Sequence, residues 1–74
     1  MIKNEEIQKL IEVYNGKISA TDIILKHIKE TLDKVTDEDL RQDIKRSRIH
    51  HKAERQCFVQ TISDLEGLDI AIED

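Results

Sequence analysis

Seventy-four residues, a single cysteine and a net charge of −4 confine this chain to one small domain with no internal disulfide. The apolar and charged fractions are both 38%, and the aliphatics recur at regular spacings, which argues for folded helices rather than disorder. Only Tyr14 and Phe58 are aromatic, so one chain has little with which to stack the bases of a single strand, and no apolar run, Ile23 to Leu25 included, exceeds three residues, far below the ~20 residues of a membrane span.

The first ten residues carry Lys3, Glu5, Glu6 and Lys9, where a secretory signal would be apolar, and the expected location is cytoplasmic. A first helix is predicted over about residues 5–14. Asn4 is a good N-cap, Glu5 and Glu6 complement the helix dipole, and Ile7, Leu10, Ile11 and Tyr14 make one apolar face. Asn15 and Gly16 then read as its stop. A second helix is predicted over about residues 20–35, with Ser19 as N-cap and Asp22 completing a variant capping box. Its stripe is Ile24, Ile28, Leu32 and Val35, widened by Ile23, Leu25 and Thr31. Lys26 with Glu30, and Lys29 with Asp33, have the spacing of outward-facing ion pairs.

The stretch Thr36 to Asp39 is another N-cap with an acidic first turn. A third helix is therefore predicted over about residues 37–66, antiparallel to the second across a short turn. Its apolar residues lie on two sides. Leu40, Ile44, Phe58, Ile62 and Leu65 share one face, interrupted by Ser47, His51 and Glu54, while Ile49, Ala53 and Cys57 run along the other at steps of four. One helix in a three-helix monomer needs only one apolar face. The second face, with small side chains at Ala53 and Cys57, is expected to pack on another subunit. In the tail, residues 67–74, Ile70 and Ile72 are expected to dock on a neighbouring surface, with the backbone either helical or extended. The expected fold is thus all-α: a short N-terminal helix across an antiparallel helical hairpin, forming a homo-oligomeric bundle from a single domain, 1–74.

Charge is divided along the chain. Residues 41–55 hold six Lys or Arg against Asp43 and Glu54, while both flanks are acidic. Arg41, Lys45, Arg48, Lys52 and Arg55 step by four, three, four and three, which on a helix gathers them within roughly 80° as one cationic stripe. Such a stripe suits a phosphorylated ligand, nucleotide or nucleic acid, since Arg offers planar bidentate contacts and Lys a point charge. It equally suits a solvated face balanced by neighbouring acids. Duplex DNA is disfavoured by the acidic net charge and the absence of helix-turn-helix spacing.

Other constellations are weaker. His50 and Glu54 form an i, i+4 pair, but two histidines and a distant Cys57 do not supply the converging ligands of a zinc site, so no metal or other cofactor is expected. His51 reads as a partly buried polar residue in the apolar stripe, able to specify register and to make association pH-sensitive. Cys57 reads as a small buried hydrophobe mid-helix rather than an activated thiol. No nucleophile triad, phosphate loop or metalloprotease motif occurs, and 74 helical residues rarely enclose a catalytic pocket, so no enzyme is expected. The leading expectation is a small regulatory protein, of the Lys- and Ile-rich, Pro-free kind common among bacterial and phage accessory proteins, that binds a larger protein as inhibitor or adaptor. The alternative is an oligomer that sequesters a phosphorylated ligand on its basic stripe.

Overall fold

A computed structural model describes residues 4–73 of the chain, with side chains described for residues 4–69. It consists of two helices, α1 (Asn4–Lys34) and α2 (Glu38–Glu73), joined by three residues. Gln8 bonds Asp69, Asp22 bonds Arg55 and Arg41 bonds Leu32, so the helices run antiparallel along their full length. The result is a rod of 56 × 14 × 14 Å. No helix among the described residues is long and apolar enough to cross a membrane.

The chain-end half corrects the sequence expectation. There is no separate N-terminal helix over 5–14: α1 passes unbroken through Asn15 and Gly16, and Gly16 keeps a negative φ. Glycine inside a helix costs roughly 1 kcal/mol relative to alanine. Tertiary packing on both sides offsets that cost here. Before Gly16, Tyr14 lies against Phe58, with ring centroids 5.9 Å apart at 50°. After it, Ile18 is half-buried and Thr21 is buried, its hydroxyl donating to the Lys17 carbonyl at 2.9 Å. Ser19 and Asp22 accordingly cap nothing, and both lie inside α1. Gly67 is likewise interior, since α2 continues to Glu73 rather than ending near residue 66. The backbone of the tail is therefore helical to Glu73, while the side chains of Ile70 and Ile72 lie outside the described residues.

The packing follows a seven-residue repeat. Along α1 and just past its end, Asn4, Ile7, Ile11, Tyr14, Ile18, Thr21, Leu25, Ile28, Leu32 and Val35 are buried or half-buried, at alternating steps of three and four. Along α2 the same alternation runs through Arg41, Ile44, Arg48, His51, Arg55, Phe58, Ile62, Leu65 and Asp69. These are the seam positions of a coiled-coil-like pair. Ile24 and Leu40, expected on the packed faces, sit beside the seam and are exposed. Among the described residues the buried aliphatics are Ile7, Ile11, Ile28 and Leu32, all contributed by α1.

The turn is held by two devices. Asp37, rather than Thr36, is the N-cap of α2, its Oδ1 accepting from the Leu40 amide at 2.9 Å. Arg41 reaches back from the first turn of α2, and its guanidinium donates to the carbonyls of Leu32 and of Val35, the latter at 2.9 Å. Those are carbonyls that the end of α1 leaves without an amide partner. Arg41 thus caps α1 from the opposite helix. We expect Arg41→Ala to lower stability by about 1–2 kcal/mol, since it removes two charge-assisted bonds. Arg46→Ala, which removes only a surface pair with Asp43, should cost under about 0.5 kcal/mol in the same urea titration.

A cationic groove between the helices and an apolar outer line

Seven-residue steps place Arg41, Arg48 and Arg55 on the seam of α2, facing α1. The five basic residues of the sequence stripe consequently have different fates. Arg41 is committed to the α1 carbonyls. Arg55 is committed to α1 as well, its Nε donating to Asp22 Oδ1 at 2.7 Å. Lys45 is half-buried beside the seam. Arg48 and Lys52 remain, and these two line a groove together with Leu25, Lys26 and Lys29 of α1.

That groove has a volume of about 370 Å³. Four of its five lining residues are basic, two from each helix, and its walls are mainly apolar, built from Leu25 and the aliphatic stems of those side chains. None of the four makes an ion pair or side-chain hydrogen bond among the described residues. In particular, the pairs expected from the sequence, Lys26 with Glu30 and Lys29 with Asp33, do not form, so both ammonium groups stay available. Sequence reasoning missed Lys26 and Lys29 because an acid stands four residues after each. The available signal was the register: in an antiparallel hairpin turning at 35–37, residues 26–29 lie opposite residues 45–52.

One turn along the helices from the groove, Asp22 and Arg55 form their ion pair. Beyond it, Lys17 Nζ lies 5.0 Å from the Tyr14 ring centroid and 5.7 Å from that of Phe58, a cation over both aromatics. On the other flank Glu54 receives two imidazoles, with His51 Nδ1 at 3.3 Å and His50 Nε2 at 3.7 Å. His51 is half-buried at a seam position, as its place in the apolar stripe suggested.

The second apolar line is found on the side of α2 away from α1. Ile49, Ala53 and Cys57 are all exposed, Ile49 at 67%. Cys57 was expected to be buried, but a two-helix hairpin offers nothing to cover it. On α1, Val13 is exposed and Ile23 is 70% exposed.

No family model matches the chain, and neither a curated protein nor a solved structure matches it.

The Asp22–Arg55 pair is partly solvated, with side chains 51% and 41% exposed. A double-mutant cycle with Asp22→Ala and Arg55→Ala should give a coupling of about 0.5–1 kcal/mol at low salt, shrinking in about 1 M salt. A larger, salt-independent coupling would mean that the pair is desolvated.

Proposed function

We propose that this hairpin is a non-enzymatic interaction protein that works by stoichiometric binding. It self-associates through the outer face of α2 and, as that assembly, docks on a larger protein that it inhibits or adapts. The observation that carries this reading is the distribution of apolar side chains. Among the described residues four aliphatics are buried, while Val13, Ile23, Leu40 and Ile49 stand in solvent with Ala53 and Cys57. A chain of this size needs an unusually complete core, a staple or a partner to be stable. Cys57 has no second cysteine to join, and the hairpin has only one seam.

The outer face of α2 favours helix packing. Ile49, Ala53 and Cys57 recur every four residues, and the two smaller side chains let a neighbouring helix approach closely. A second copy supplies a matching surface without any further partner, as in the isologous contact of a two-fold dimer. The apolar side chains of α1, Val13 and Ile23, then remain for a different protein, held on a rigid rod in the helix-in-groove mode. A charged regulatory surface flanks them, acidic at both chain ends and basic between.

Light scattering on the purified protein tests the assembly. Wild type should have a mass that is a multiple of 8.6 kDa. Ala53→Glu should lower it, because a carboxylate would be desolvated in the contact. Lys26→Gln, away from that face, should leave it unchanged. A wild-type monomer throughout the micromolar range would refute self-association through α2.

A further inference from the structure

Arg48 packs at a seam position, but the charges of the four groove cations are unexplained by ion pairing, by capping or by the interaction surface. Arg41 and Arg55 show how this fold employs a basic side chain structurally: each reaches across to an acceptor on α1. Lys26, Lys29, Arg48 and Lys52 have no such acceptor among the described residues, although they border one groove. Like charges brought together raise the local positive potential and oppose one another until an anion enters.

We propose that this groove is a binding site for a compact oligophosphate: the di- or triphosphate group of a nucleotide, or free inorganic oligophosphate. Three features define the class. The cations are concentrated, since Lys26 and Lys29 are separated along α1 by roughly 4.5 Å of rise, and Arg48 and Lys52 along α2 by roughly 6 Å. A patch about one helical turn long suits phosphates joined to each other, whereas a nucleic acid needs a track of cations along the rod. Such a track is interrupted here by the Asp22–Arg55 pair and by the acidic ends of the chain. Second, the four charges match the three to four negative charges of a triphosphate, with the Arg48 guanidinium able to hold two oxygens at once. Third, the 370 Å³ volume and Leu25 leave room for an apolar or aromatic group attached to the phosphates. This inference does not rest on the proposed docking function, because Lys26 and Lys29 lie on α1 and not on the outer line of α2.

Calorimetric titration of the full chain at low ionic strength tests it, with sodium tripolyphosphate, adenosine triphosphate, adenosine and a twenty-base single-stranded oligonucleotide as separate probes. Tripolyphosphate and the nucleotide should bind, adenosine should not, and raising the salt should weaken both. Tighter binding of the nucleotide would place its base on Leu25; equal binding would make free oligophosphate sufficient. Lys26→Gln with Lys29→Gln should weaken tripolyphosphate binding on the order of a hundredfold, about tenfold for each charge-assisted bond removed. Both lysines are exposed, and circular dichroism would verify that the helices persist. Lys9→Gln with Lys34→Gln removes the same charge elsewhere and should have little effect. The proposal is overturned if tripolyphosphate does not bind, if both double variants weaken it equally, or if the oligonucleotide binds more tightly than tripolyphosphate.

Discussion

Two helices joined by three residues share a single seam, and the rest of this molecule follows from how that seam is filled. α1 contributes most of the apolar side chains, while α2 contributes Arg41, Arg48, His51 and Arg55 among its own seam positions. A helix that turns arginines toward its partner gains little hydrophobic burial along that half of the contact. It must offer those guanidiniums acceptors or leave them beside water. The fold does both: Arg41 and Arg55 find α1 acceptors, and Arg48 opens onto the groove.

The same constraint explains why the outside of the hairpin is so apolar. With one seam, each helix has most of its circumference in solvent, and residues such as Ile23 and Ile49 have no third element to cover them. In a larger bundle these would be interior. The proposed self-association would add such a layer. The cationic groove needs no such layer, because both of its walls already belong to one chain.

The helical class and the turn were legible because their signals are local. Val35 ends an apolar period, and the Asp37 carboxylate that begins the next helix does what an N-cap does. The unbroken α1 was not legible, because the stop signal of Asn15 and Gly16 is also local, whereas the packing of Tyr14 on Phe58 that overrides it spans the hairpin. The seam was hidden for a related reason. A search for apolar period passes over Asn4, Thr21, Arg48 and Asp69, yet these occupy the same three-four alternation as the isoleucines. The basic stripe was visible in the sequence, but the direction it faces was not. The α1 half of the groove could be found only by folding residues 26–29 back onto residues 45–52.

If the proposed self-association supplies the layer that one seam lacks, folding and assembly are linked. The most direct measurement is the thermal unfolding midpoint as a function of protein concentration over about a hundredfold range. If association completes the core, the midpoint rises with concentration, since self-binding stabilises only the folded form. A cooperative transition with a midpoint independent of concentration, in a species of 8.6 kDa, would show that the hairpin stands on its single seam and would contradict that linkage.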